Sequence, residues 1–150
     1  SEKPLTFAGW YSKKRTTWKH EQASSNYRWR YGTNERILRY ADVLLMAAEA
    51  LNRKSSPDEA QALLYVNLVR QRALLDPVST AGNELYEDIK LERRLELAME
   101  GHRFHDLVRW GDAGAVLGSL GFIENRHEVY PIPEVEIVNT NSSLVQNHGY

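Results

Sequence analysis

The sequence predicts a mainly α-helical fold, an array of helices joined by long irregular connections, on three observations. From Asn34 onward apolar residues recur at helical spacing in successive stretches. Prolines and glycines stand where those stretches stop. Strand-like alternation is confined to the short run Tyr27-Arg28-Trp29-Arg30-Tyr31. At 150 residues, 42% apolar and 26% charged, the chain has the size of one globular domain with a single core.

Residues 1–33 are polar and rich in Ser, Thr, Lys and Arg, yet carry Phe7, Trp10, Tyr11, Trp18, Tyr27, Trp29 and Tyr31. They read as an aromatic-rich irregular segment with short strand pieces. Residues 34–111 read as the helical core. Its first helix carries Ile37, Ala41, Leu44, Ala48 and Leu51 on one stripe, and Arg39, Asp42, Met46, Glu49 and Arg53 on a mainly polar row. Tyr40, Val43, Leu45 and Ala47 widen the apolar arc, which predicts neighbours on more than one side.

Ser56-Pro57-Asp58-Glu59 is a start signal: Ser56 can cap, proline suits the first helical position, and Glu59 can complete a capping box. The second helix then buries Ala62, Val66, Val69 and Ala73, flanked by Leu63 and Leu74, up to Asp76-Pro77, so the first two helices form a hairpin. Asn83 is placed to cap a third helix over about Glu84–Glu100 with Leu85, Ile89, Leu95 and Met99 inward, until Gly101 interrupts it. A short helix over His102–Trp110 follows. Residues 112–150 read as an irregular tail, loosened by Gly114, Gly118 and Gly121, extended at Tyr130-Pro131-Ile132-Pro133, and rich in turn-forming asparagines beyond Glu134. There is no convincing internal repeat.

Composition excludes several function classes. With 19 basic and 20 acidic residues the net charge is −1, so no broad field favours nucleic acid or an anionic membrane. The chain contains no cysteine, which removes disulfides, thiolate metal sites, cysteine nucleophiles and a lipid-bearing cysteine from these residues. The longest apolar-rich stretch, Val43–Leu51, contains Glu49 and falls far short of the roughly 20 residues a membrane helix needs. Residues 1–33 lack the pattern of a secretory signal, so export information is expected outside this chain, whose opening at Ser1 reads as processed or cut.

Four stretches, taken together, resemble the C-terminal half of the SusD/RagB family over about residues 26–150. They are Leu38-Arg39-Tyr40-Ala41-Asp42 continuing through Asn52; Asn67-Leu68-Val69-Arg70-Gln71-Arg72-Ala73; Glu92-Arg93-Arg94-Leu95-Glu96 continuing through Gly101-His102-Arg103-Phe104 to Gly111; and Tyr130-Pro131-Ile132-Pro133 with Glu136-Ile137, Gln146-Asn147 and Gly149-Tyr150. His105 stands where the family more often has an aromatic residue, and His148 where a proline is common. The resemblance implies a tetratricopeptide-like α-α superhelix of which this chain is the C-terminal portion, with the N-terminal scaffold lacking a counterpart here. It implies a nutrient-binding lipoprotein on the outer face of a Bacteroidetes-type outer membrane, held only by an N-terminal lipid absent from these residues. It also implies noncovalent capture of an oligosaccharide, or a peptide, for a SusC-like TonB-dependent transporter, with no catalysis and no cofactor.

The residues offer three candidate sites. Glu92, Glu96 and Glu100 share a helix face and could divide acid and base roles, as a glycosidase needs. Arg93, Arg94, Arg103 and Arg109, with Asp106, supply salt-bridge partners at three- and four-residue spacing, which makes a structural network tying the third helix to the next the preferred reading. His102, His105 and Asp106 have helical metal-ligand spacing but no completing ligands, so no metal site is expected. Ligand contact is assigned to the aromatic segment: Trp18, Tyr27, Trp29 and Tyr31 as stacking rings, Arg28 and Arg30 as donors to hydroxyls. The competing reading of those rings is structural cover for the helices, and packing is also the role expected of Tyr40, Phe104 and Trp110.

Overall fold

A computed structural model describes residue 14, residues 36–141 and residues 143–150. Among the described residues there are helices and no strands, as expected of a helical array. By internal contacts the chain separates after Met99 into two units. That break falls inside the stretch 34–111, between the third and fourth helices.

The first unit is built on α1 (Tyr40–Arg53), α2 (Glu59–Arg72) and α3 (Gly82–Glu96). α1 and α2 form the expected hairpin, and α3 packs on both. One core joins them: Leu44, Leu45 and Ala48 from α1, Ala62, Val66 and Val69 from α2, and Leu85 and Ile89 from α3. Each leucine, isoleucine or valine among them contributes about 1.5–3 kcal/mol on removal from water, before ordering costs.

The ends of these helices differ from the sequence expectation in informative ways. α1 begins at Tyr40 rather than Asn34, and Ile37 lies outside it, exposed. The cap of α2 is Asp58, whose carboxylate accepts from the Gln61 N–H at 3.2 Å, so the cap falls two residues beyond Ser56 and the helix starts at Glu59. α2 stops at Arg72, ahead of Asp76-Pro77. Leu75 N–H donates to Arg70 O and Leu74 N–H to Gln71 O, both at 3.0 Å, with Leu74 at φ 58°. This is a Schellman ending with leucine in the left-handed position that glycine usually takes. It leaves Ala73 and Leu74 exposed, not on the buried stripe.

The connection from α2 to α3 is held by side chains in place of secondary structure. The Asn67 amide donates to Val78 O and accepts from Val78 N–H, both at 2.9 Å, reproducing the pairing a neighbouring strand would give. Arg70 Nε donates to Asp76 O at 2.8 Å, and Thr80 Oγ1 to Asp88 Oδ2 at 2.6 Å. The Asn52 amide donates to Gly82 O at 3.1 Å, while Gly82 N–H donates to Glu59 Oε1 at 3.0 Å. α3 accordingly starts at Gly82 behind Ala81, with no cap from Asn83.

α3 also presents a different face inward. Leu85 and Ile89 are buried as predicted, but Leu95 is 56% and Met99 71% exposed. The helix ends at Glu96, and Glu92, Arg93 and Glu96 occupy the buried positions instead. The stripe is apolar in its first half and ionic in its second.

The second unit contains α4 (His102–Trp110), α5 (Ala113–Leu117) followed by a 3-10 turn over Gly118–Leu120, and α6 (Glu134–Asn139). α4 is bounded by Gly101 at φ 88° and Gly111 at φ 76°, a left-handed conformation that costs most other residues about 1–2 kcal/mol. α5 and α6 correct the expectation of an irregular tail. Pro133 stops an extended segment and also stands immediately before α6, where its missing N–H costs nothing, and Glu134 and Glu136 sit favourably at the positive end of the helix.

The extended segment is clasped by the chain end. In Pro131-Ile132-Pro133 the central residue alone carries an N–H. Ile132 N–H donates to Gln146 Oε1 at 2.7 Å, and Gln146 Nε2 donates back to Ile132 O at 2.8 Å. Asn147 Nδ2 donates to Tyr130 O at 2.6 Å, and Tyr150 Oη to Val129 O at 3.0 Å. These bonds explain why Pro-Ile-Pro and Gln-Asn occur together in one chain.

Candidate functional site

The acidic row of α3 is occupied in ion pairs. Glu92, 3% exposed, accepts from Arg70 Nη1 of α2 at 2.9 Å. Glu96 takes Arg39 Nη1 on one carboxylate oxygen at 2.8 Å and Arg72 Nη2 on the other. Arg39 Nη2 also donates to the Glu96 carbonyl at 3.0 Å, and the Lys14 ammonium reaches the same carbonyl and that of Ala98. Cations at the carbonyl end of a helix complement its dipole. Between Glu92 and Glu96, Arg93 is buried and donates to Asp42 of α1 at 2.9 Å.

The partners are therefore not those the helical spacing suggested. Glu92 and Glu96 bind arginines from elsewhere in the first unit, up to 57 residues away, rather than their helix neighbours Arg93 and Arg94. The network joins α3 to α1, α2 and the residues flanking them. Asp106–Arg109, a pair predicted at three-residue spacing, forms at 2.8 Å within α4. A catalytic carboxyl must reach substrate, and these two carboxylates are enclosed by guanidinium groups, so the arrangement offers structural cross-linking and no acid–base pair.

His102 is half-buried and His105 exposed. Among the described residues no group of three or more His, Cys, Asp or Glu side chains is placed to hold a metal ion. The ring of His105 meets Phe104 edge to face at 5.7 Å. Phe104 and Trp110 are half-buried, while Tyr40 is exposed. Trp18, Tyr27, Arg28, Trp29, Arg30 and Tyr31, the predicted ligand contacts, lie outside the described residues.

The second unit contains a feature the sequence reading missed, a wide-mouthed surface cavity of about 470 Å³, largely open to solvent and lined by Phe104, Leu117, Phe122, His127, Tyr130 and Tyr150, among others. Its rings hold one another: Phe104 meets Phe122 at 6.2 Å and Phe122 meets His127 at 5.8 Å, both edge to face. His127 Nδ1 accepts from Ile123 N–H at 3.0 Å. The Arg126 guanidinium lies over the Tyr150 ring at 4.8 Å. No periodicity could have found this cluster, because its members are scattered from position 104 to 150.

Among the described residues the fold is helical, and the buried Asp42, Glu92, Arg93 and Glu96 serve as internal cross-links. The family model described as SusD family matches residues 2–120, and the chain belongs to this family. A SusD-like protein of Formosa agariphila is 35% identical over 133 residues, an alignment covering 79% of this chain and 26% of the relative. Among solved structures, a laminarin binding SusD-like protein is 40% identical with a TM-score of 0.63, covering 76% of this chain and 23% of that one. Surface glycan-binding protein A from Bacteroides thetaiotaomicron is 36% identical with a TM-score of 0.62, covering 75% and 24% respectively. The chain thus spans about a quarter of the length of these relatives.

Proposed function

We propose that the protein to which these residues belong binds a nutrient without covalent chemistry, a glycan before a peptide, at the outer surface of the outer membrane, and delivers it to a SusC-like TonB-dependent transporter. The observation that carries this reading is membership of the SusD family, together with similarity to a laminarin binding SusD-like protein and to a surface glycan-binding protein. The enclosure of Glu92 and Glu96 by arginines supports binding over hydrolysis. No described helix is long and apolar enough to cross a membrane, and attachment through an N-terminal lipid outside this sequence completes the proposal.

Trp18, Tyr27, Trp29 and Tyr31, with Arg28 and Arg30, are the proposed ligand contacts. A ring stacks on the C–H face of a sugar, and guanidinium N–H groups donate to its hydroxyls. Isothermal titration of the full-length protein against glycan and peptide panels tests the function; absence of binding to every member would refute it. Ala at Trp18 and Trp29 is expected to weaken binding by about tenfold or more, the scale of a lost stacking anchor.

A second reading is favoured by one specific observation. Tyr40, Val43 and Met46 on α1, Leu64 and Leu68 on α2, and Leu91 and Leu95 on α3 leave each helix of the first unit with an exposed apolar row opposite its buried one. On this reading these residues support further helices of the whole protein or dock the transporter, with ligand contacts elsewhere. Unchanged glycan affinity in the Trp18→Ala and Trp29→Ala variants would select it.

A further inference from the structure

We propose that the ring-lined cavity of the second unit is a subsite for one neutral sugar ring of the captured glycan, built from residues other than the aromatic set at 18–31. The proposal rests on the glycan-binding reading above and adds a place for the ligand within residues 104–150.

A sugar ring has C–H faces that prefer flat apolar surfaces and a rim of hydroxyls that each need a donor or an acceptor. The cavity supplies both. Phe104, Phe122 and Leu117 form apolar wall, and Tyr130, Tyr150 and His127 bring polar edges. Because His127 Nδ1 accepts a backbone N–H, its own ring proton sits on Nε2, which leaves that nitrogen as a donor. Tyr150 Oη spends its proton on Val129 O, so its lone pairs remain to accept. Tyr130, 78% exposed, is the most accessible of the lining aromatics.

Two further observations narrow the ligand. Among the described residues no lining side chain carries a carboxylate, ammonium or guanidinium group, and the one cation over a lining ring, Arg126 on Tyr150, disfavours a cationic peptide and leaves a neutral polyol as the fit. The walls are already oriented, since the edge-to-face chain of Phe104, Phe122 and His127 and the cation over Tyr150 fix four of the rings. Binding therefore orders little of the protein, which suits the modest affinity of a single sugar ring. The volume of about 470 Å³ lies within the range of small-molecule sites, roughly 300–1,000 Å³.

Hydrogen-exchange mass spectrometry of the full-length protein, with and without laminarihexaose, combined with titration calorimetry of the same pair, tests the subsite. Should laminarihexaose not bind, the probe is the member of the glycan panel that does. The expected result is slowed exchange across residues 117–130 on adding the glycan. Tyr130→Ala, at an exposed position where the core is not opened, is expected to weaken binding by about threefold to tenfold and to reduce that protection. Glycan binding with unchanged exchange over 117–130 and unchanged affinity in Tyr130→Ala would overturn the subsite and leave the glycan-binding function standing. Failure of every glycan to bind would remove that function, and the occupant of the cavity with it.

Discussion

The two units solve the same problem, holding short helices together, with different chemistry. In the first, three helices of 14 or 15 residues share an aliphatic core, and the end of that core is finished with ion pairs. In the second, the helices have nine residues or fewer and rings and backbone clasps carry the load, with Phe104, Phe122 and His127 in contact and Gln146 gripping Ile132. Buried carboxylates are paired in both, but differently: Asp42, Glu92 and Glu96 meet arginines from other elements, whereas Asp106 in the second unit meets Arg109 of its own helix. Length bears on the contrast: the 15-residue α3 aligns its carboxylates with arginines of α2 and with Arg39, which flanks α1, whereas the ion pair of the nine-residue α4 lies within the helix.

The largest effect that would sharpen this comparison is expected at the Asp42–Arg93 pair. Removing one partner strands a buried charge, so Arg93→Ala should lower the opening free energy of α3, read by native-state hydrogen exchange, by about 3–5 kcal/mol. Replacing both, as Asp42→Leu with Arg93→Met, should cost far less, since apolar side chains of similar volume can substitute for a buried pair. Equal costs for the single and double variants would mean that shape at this site matters and charge does not.

An intermediate effect is expected in the second unit. Gln146→Ala removes both bonds to Ile132 and should destabilise the 130–150 segment by about 1–3 kcal/mol without altering exchange in α3. Loss of protection in α1–α3 in that variant would break the division into two units. The smallest effect is expected at Leu74, exposed at φ 58°. Leu74→Gly should stabilise the end of α2 by up to about 1 kcal/mol, seen as slower exchange at Leu75.

The sequence made the first unit largely legible and the second much less so. Ala48, Val66 and Ile89 stand on apolar stripes that helical spacing reveals directly. The second half of α3 was not legible, because Glu92, Arg93 and Glu96 are buried only by virtue of partners at Arg70, Asp42 and Arg39, and no local pattern predicts a pairing 22 to 57 residues distant. α6 was hidden because Pro131 and Pro133 signal extended chain equally well whether they end a segment or precede a helix. For the candidate site, chemistry selected Trp18, Tyr27, Trp29 and Tyr31 because they cluster in sequence. The cavity rings escaped notice because they cluster only in space.

The central claim is that the acidic residues of α3 hold the frame while ligand is captured by rings. Glu92→Gln, studied in the full-length protein with a glycan that it binds, tests this most directly. The account predicts faster exchange in α3, glycan affinity within about twofold of the unaltered protein, and no sugar released by either form. Loss of glycan binding with α3 exchange unchanged, or sugar release by the unaltered protein that Glu92→Gln abolishes, would contradict it.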